Sequence, residues 1–211
     1  MISVFCLLTP APACAEIIDR IAVSVGTSVI TTIDIEREIR VTAFQSRMQP
    51  DLSEANRRAT AKRMIEQKLI RREMQQSHYP MPDPKDADPL LQQLRASYAG
   101  DAAFQQALSD DGIAEQDLRD ELLWQLTLLR FIEVRFRPGV RVSDEEIEKY
   151  FDDKVKPAAE AAHPGQTVSL EEYRKQIESA LAGQQTDREL DAWLEEARKR
   201  TQIVFHDEAF Q

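Results

Sequence analysis

The side chains that could carry out chemistry are scattered along this chain rather than grouped. His78, His163 and His206 lie far apart in unlike contexts, and no two of them have the spacing of a metal-binding pair. Adjacent acids, such as Glu145-Glu146, point away from each other on a helix instead of sharing a substrate. We therefore predict no catalytic residues, no metal site and no enzyme, although an acid pair assembled from distant positions stays open as a third hypothesis.

The glycines and cysteines exclude further kinds of site. The two closest of the six glycines are Gly100 and Gly112, so the chain lacks the close-set glycines of the dinucleotide fingerprint, the P-loop and the nucleophile elbow. Both cysteines, Cys6 and Cys14, precede Glu16. A chain that matures by cleavage after Ala15 would have no disulfide, thiolate metal site or cysteine nucleophile. We predict no cofactor.

Charge and length limit the class of partner. The chain has 211 residues, 27 basic and 37 acidic side chains, and a net charge of -10. Nucleic acids and anionic membrane surfaces attract an excess of Lys and Arg, so this balance argues against both. The mean hydropathy of -0.46 and the 30% of charged residues predict no stable membrane insertion. The length suits one domain with a core of its own.

Residues 1–15, MISVFCLLTPAPACA, have the pattern of an export signal. A short apolar run is followed by prolines and then by small residues before Glu16, which predicts cleavage after Ala15 and a periplasmic protein. Because no Lys or Arg precedes the apolar run, we expect the true start codon to lie farther upstream. An ordinary apolar strand and lipidation at Cys14 are the alternatives. The run is too short to span a bilayer.

The remaining pattern predicts a mainly α-helical protein. Alternating apolar residues predict a hairpin over 18–30, and Thr31 is the expected N-cap of a helix that ends before Pro50. Further helices are expected over 54–77, 90–99, 101–109 and 115–136, after Ser143 and after Ser169, the last one bent or interrupted at Gly183. A strand is expected over 203–205. Because a lone strand is not stable, we infer that it joins the hairpin in one small sheet.

Several apolar residues are assigned to the core on these patterns: Ile21, Val23, Trp193, Val204 and Phe205. The helix over 115–136 is apolar on nearly all sides, with one stripe that includes Leu118 and Leu122 and a second that includes Trp124 and Phe131. Such a helix is central to a core or covers a binding surface. The core interpretation is the simpler one, and the width of the apolar surface leaves room for both.

Six segments, taken in order, resemble the SurA-type periplasmic chaperones, which are relatives of the parvulin foldases. They are EIIDRIAVSVGTSVITTIDIEREI, RMIEQKLIRREMQQ, FQQALSDDGIAEQDLRDELLWQLTLLRFI, VSDEEIEKYF, LEEYRKQIESAL and LDAWLEEARKRTQIVF. The likeness covers nearly all of residues 16–211. It implies a multi-helix chaperone module with a small β-sheet that joins an N-terminal hairpin and a C-terminal strand.

The chain departs from that family at one place. A prolyl isomerase domain usually follows the helix that matches 143–155, but here residues 157–168 form only a short predicted linker. A domain of about 100 residues cannot fit there. The expected organisation is therefore a helical chaperone domain over 16–156, the linker, and residues 169–211 completing the domain. We expect no prolyl isomerase activity.

The resemblance implies an ATP-independent chaperone that binds unfolded outer-membrane or secreted proteins in an apolar groove. The alternative is an adaptor or assembly subunit that uses the same scaffold for a single partner. Adaptable or large apolar side chains are the candidates for the groove. They are Met64, Met74, Tyr79, Met81, Leu94, Phe104 and Phe131.

Overall fold

The computed structural model describes residues 19–162 and 168–211. The predicted signal at 1–15 and His163 lie outside the described residues. Within those two ranges the chain is mainly helical, with one small antiparallel sheet that joins the beginning of the described chain to its end. The predicted fold class is confirmed.

Three strands form the sheet: β1 (Ile21–Val25), β2 (Ser28–Thr31) and β3 (Ile203–Phe205). Their order is β2-β1-β3, and both pairings are antiparallel. Gly26 makes the turn between β1 and β2 with a φ of +57°, a conformation that favours glycine. The sheet thus confirms the inference that the C-terminal strand pairs with the hairpin.

A β-bulge at Ala22 decides which residues of β1 face the core. Ile21 pairs with Thr31, whereas Val23 pairs with Ile30, so β1 has one extra residue between the two pairs. Ala22 and Val23 are fully buried, and Ile21 is 47% exposed. The core assignment of Ile21 is wrong because the bulge interrupts the alternation on which it rested.

Val204 in β3 is also misassigned to the core. It pairs with Ser24 and is 40% exposed, while its neighbours Ile203 and Phe205 pack against the core. A strand turns successive side chains to opposite faces, so only one of the two sets can be buried. The core assignment of Val23 is confirmed, whereas Phe205 and Trp193 are half-buried and pack against the core.

Eight α-helices lie within the described ranges. They are α1 (Thr32–Ser46), α2 (Glu54–Gln76), α3 (Asp88–Ala96), α4 (Asp101–Asp111), α5 (Glu115–Arg135), α6 (Asp144–Tyr150), α7 (Lys156–Ala162) and α8 (Leu170–Lys199). A π-helical turn, Phe151–Val155, joins α6 to α7.

Capping explains where most of these helices begin and end. Thr31 and Asp34 form a capping box at the start of α1, and Ser143 and Glu146 form another at the start of α6. Gly112 ends α4 in the left-handed conformation, with a φ of +63°. α1 stops at Ser46, short of the predicted end at residue 49, because Arg47 takes the left-handed conformation and closes the helix.

Two helices differ from expectation in the second half of the chain. Residues 157–162 of the predicted linker are helical and form most of α7, whose sequence KPAAEAA has a proline in the first turn and then good helix formers. α8 runs without interruption through Gly183 and is about 45 Å long at 1.5 Å per residue. The predicted break at Gly183 is therefore wrong.

The buried apolar side chains form four clusters. The first lies between the sheet, α1 and α2, the second joins α1, α3, α4 and α5, and the third joins α2, α5 and the C-terminal part of α8. The fourth is built on Ile147, Phe151 and Ile177, from α6, the π-helical turn and the N-terminal part of α8. α8 contributes Ala197 to the first cluster, Leu194 to the third and Ile177 to the fourth.

Candidate functional site

An apolar groove lies between α7 and the N-terminal half of α8. One wall comes from α6, the π-helical turn and α7, and the other from α8, and together they enclose about 420 Å³. Most of the lining side chains are alanines, aliphatic residues or tyrosines. They are Tyr150, Lys154, Val155, Ala158, Ala159, Ala162, Tyr173, Gln176, Ile177 and Ala180. We call this feature the α7–α8 groove.

The base of the α7–α8 groove is the fourth apolar cluster. Ile177 is buried beneath the groove, and the rings of Phe151 and Tyr173 lie 6.4 Å apart between their centroids. At the outer edge Arg174 Nη1 donates to Asp144 Oδ1 at 2.7 Å and ties α8 to the start of α6. Burial of this cluster holds α6 and the π-helical turn against α8, and the exposed ion pair adds little to that stability.

The capping box of α6 is strengthened by charge. The backbone N–H and the hydroxyl of Ser143 both donate to the Glu146 carboxylate, at 2.8 and 2.9 Å. These hydrogen bonds, the backbone one first, hold the pKa of Glu146 below its usual range. This capping box, which is visible in the sequence, fixes the residue at which α6 begins. It thereby helps to position the groove wall that α6 belongs to.

The seven predicted groove residues do not come together. Phe131, Met74 and Tyr79 belong to the third cluster, Phe104 and Leu94 to the second, and Met64 to the margin of the first. Met81 is 47% exposed in the proline-rich segment after α2. None of the seven lines the α7–α8 groove.

Three of the seven cannot contact a client in this conformation. Met74, Phe104 and Phe131 are fully buried and fill the core, where Phe131 lies 5.0 Å from Trp193 between ring centroids. Tyr79 and Leu94 are half-buried beside them. Large apolar side chains are among those most often buried in a core. A choice of groove candidates by side-chain type alone therefore selected core residues.

A second cleft adjoins the exposed side of α5. It has a volume of about 390 Å³ and is lined by Pro82, Asp86, Leu126, Leu129, Arg130 and Glu133. Leu129 is 58% exposed there. Most of the apolar surface of α5 is therefore buried in the core, as the simpler interpretation of that helix predicts. A smaller apolar part of α5 is exposed to solvent.

A polar cavity of about 150 Å³ lies where α1, α2 and α5 meet. Glu38 and Glu121 both line it, and burial raises the pKa of each carboxyl group. The pKa of Glu121 reaches about 7, because burial and the nearby charge of Glu38 outweigh the opposing effects of Gln125, Arg71 and Arg63. These two residues did not stand out in the sequence, since they are ordinary helix-surface acids until the helices pack.

The histidines and acids of the described ranges do not form a metal site. No group of three or more His, Cys, Asp or Glu side chains within residues 19–162 and 168–211 is arranged to hold a metal ion. His206 Nε2 lies 3.1 Å from Ser24 Oγ beside the sheet. In the same described ranges, no helix is both long enough and apolar enough to cross a membrane.

The residues of the α7–α8 groove were missed because part of it reads as a linker. The alanine-rich stretch over 156–162 suggests low complexity, yet alanine has the highest helix propensity, and that signal could have identified α7. No known protein family matches this chain, and no curated protein has a significant similarity to it.

Proposed function

We propose that this protein is an ATP-independent periplasmic chaperone that binds unfolded outer-membrane or secreted proteins in the α7–α8 groove. The observation that carries the proposal is the groove itself, a solvent-accessible cleft between helices with mainly apolar walls. The signal-like sequence at 1–15 and the resemblance of residues 16–211 to SurA-type chaperones support the compartment and the class of client.

Apolar burial is the source of affinity in this mechanism. Short alanine side chains at 158, 159 and 162 leave room for a large client side chain, and Tyr150 and Tyr173 offer broad apolar faces beside it. Burying one large apolar side chain contributes about 1.5–3 kcal/mol, so a few of them give binding that reverses without ATP. Lys154 and Gln176 add polar groups that can bond to any backbone carbonyl.

The proposal does not include prolyl isomerase activity. α7 ends at Ala162 and α8 begins at Leu170, and the segment between them is far shorter than the roughly 100 residues of a small domain. We expect no acceleration of proline isomerisation in a peptide by the purified protein. Catalysis that is lost on heat denaturation would contradict this.

The groove can be tested by filling it. Ala158 is exposed on α7, so A158W places a large ring in the cleft without disturbing the core. We expect the variant to lose at least about tenfold in affinity for two unrelated clients, a urea-unfolded outer-membrane porin and reduced, carboxymethylated lactalbumin. A103W is the matched control, because Ala103 is also exposed and lies on α4, which contributes no residue to the groove.

Three results would count against the proposal. Equal client binding by A158W, A103W and the wild-type protein would remove the groove from the mechanism. Absence of binding to either client by the wild-type protein would remove the chaperone function. Binding of one client only would favour the single-partner adaptor. Thermal unfolding of each variant checks that the fold is intact.

A further inference from the structure

The polar cavity at the junction of α1, α2 and α5 contains two carboxylates without an ionic partner. Glu38 accepts a hydrogen bond from Gln67 Nε2 at 3.1 Å, and Glu121 accepts one from Gln125 Nε2 at 3.0 Å. Both donors are neutral amides. Within the described part of the chain, neither carboxylate lies within 4.0 Å of a basic nitrogen.

A neighbouring acid on the same helix shows what the cavity lacks. Glu36, two residues before Glu38 on α1, forms ion pairs with Arg40 at 3.2 Å and with Arg57 at 2.8 Å. Such a pair stabilises the ionised carboxylate. Glu38 and Glu121 receive no comparable compensation, although both are partly removed from water.

The other charged groups around the cavity come from all three helices. They are Asp34 and Arg37 on α1, Arg63 and Arg71 on α2, and Asp117 and Asp120 on α5. Most of the cations are engaged elsewhere.

Arg37 pairs with Asp34 at 3.2 Å and with Asp117 at 3.4 Å. Arg63 donates to Thr60 at 2.9 Å, and the Arg71 guanidinium lies 5.1 Å from the Trp124 ring centroid. Arg63 and Arg71 act on the two glutamates only from a distance.

We propose that Glu38 and Glu121 form a pH-sensitive lock that holds α1, α2 and α5 together while the pair retains a proton and loosens their junction once both carboxylates are ionised. A protonated carboxyl group beside an ionised one removes the repulsion between like charges. Two ionised carboxylates in the same partly buried space repel each other and favour separation of α1 from α5.

The direction of the pH effect follows from the pKa of Glu121, which burial raises from an ordinary 4.5 to about 7. Below pH 4.5 the carboxyl group is protonated in both the folded and the unfolded chain. Between pH 4.5 and 7 the folded chain keeps a proton that the unfolded chain has lost, so stability falls as pH rises through this window. The raised pKa of Glu38 acts in the same direction.

The test compares the wild-type protein with E38Q, E121Q and the control E133Q at pH 5.5 and pH 8. Glu133 is an exposed acid on α5 outside the cavity, so its replacement removes the same charge from the same helix. We expect the folding equilibrium constant of the wild-type protein and of E133Q to fall at least about tenfold from pH 5.5 to pH 8, and E38Q and E121Q to lose most of that dependence.

Amide hydrogen exchange locates the effect. After correction for the intrinsic exchange rate, protection in α1 and α5 should fall at pH 8 in the wild-type protein but not in E121Q, while the N-terminal half of α8 stays unchanged. A wild-type stability that does not vary with pH, a dependence that persists in both E38Q and E121Q, or a loss of protection spread evenly over the chain would overturn the proposal.

Discussion

The α7–α8 groove and the cavity between α1, α2 and α5 are both junctions of helices, but their side chains differ in length and charge. Short alanine side chains line the groove, so no bulky side chain fills the space between the helices. The apolar surface of the groove therefore stays accessible to solvent. Long charged side chains fill most of the space at the cavity and leave room for little more than water. Helix packing supplies the space in both places, and the size of the lining residues decides whether a partner can enter it.

The core beside the cavity makes the contrast sharper. Phe131 is fully buried among Phe136, Trp193 and Tyr79, with ring centroids 5.0 to 6.3 Å away. The sequence made Phe131 a candidate for the groove, yet its ring is part of the third apolar cluster. Its role and that of the α7–α8 groove can be separated by experiment.

The largest effect is expected for F131A. Removing a buried phenylalanine ring leaves a cavity and costs about 3–5 kcal/mol of the free energy of unfolding. Client affinity of the folded fraction should stay unchanged, because the α7–α8 groove is built on a different cluster. Urea unfolding and a binding titration at low temperature measure the two quantities, with F131L as the milder control. Lost binding with unchanged stability would contradict the assignment of Phe131 to the core.

A smaller and opposite effect is expected for G183A. Gly183 lies within α8, between its groove end and its core end, and an added Cβ would meet no heavy atom within 4 Å. Alanine is favoured over glycine inside a helix by about 1 kcal/mol, so the free energy of unfolding should rise by about that amount. G139A is the control, because Gly139 lies in a short turn outside any α-helix.

The client affinity of G183A tests whether the two ends of α8 act independently. We expect it to equal that of the wild-type protein, since the groove walls do not include Gly183. Weaker binding by G183A alone would mean that α8 must bend at this residue when a client enters, and the comparison between a rigid core and a separate groove would then fail.

The smallest effects are expected at the exposed apolar residues outside the groove. L129S and M81S alter side chains that are 58% and 47% exposed, so each should change the free energy of unfolding by less than about 0.5 kcal/mol. If the α7–α8 groove is the main binding surface, client affinity should change less than twofold. A loss of client affinity as large as that of A158W would indicate that the binding surface lies on α5 and the segment before α3.

Much of the fold could be predicted because its signals are local. Thr31 with Asp34, and Ser143 with Glu146, mark helix starts by side-chain bonds that span only three residues, and Gly112 marks a helix end by its backbone freedom. The pairing of β3 with β1 followed from a general need, since a single strand leaves its backbone groups without partners.

The site could not be predicted in the same way. Met74, Phe104 and Phe131 have the side chains expected of a binding groove, but whether a large apolar residue faces solvent depends on which helices cover it. The bulge at Ala22 likewise turns Ile21 towards solvent, and it arises from the register in which β1 pairs with β2 in the folded protein. Sequence patterns identified the apolar residues correctly and assigned several of them to the wrong surroundings.

The sequence by itself determined a mainly helical chain, most helix boundaries and the small sheet, because these depend mainly on neighbours within a few residues or on composition. Only the tertiary structure decided which side chains line the α7–α8 groove and brought Glu38 and Glu121 to the same cavity. Burial and like-charge proximity arise between residues far apart in the chain, and they come into being only when the helices pack.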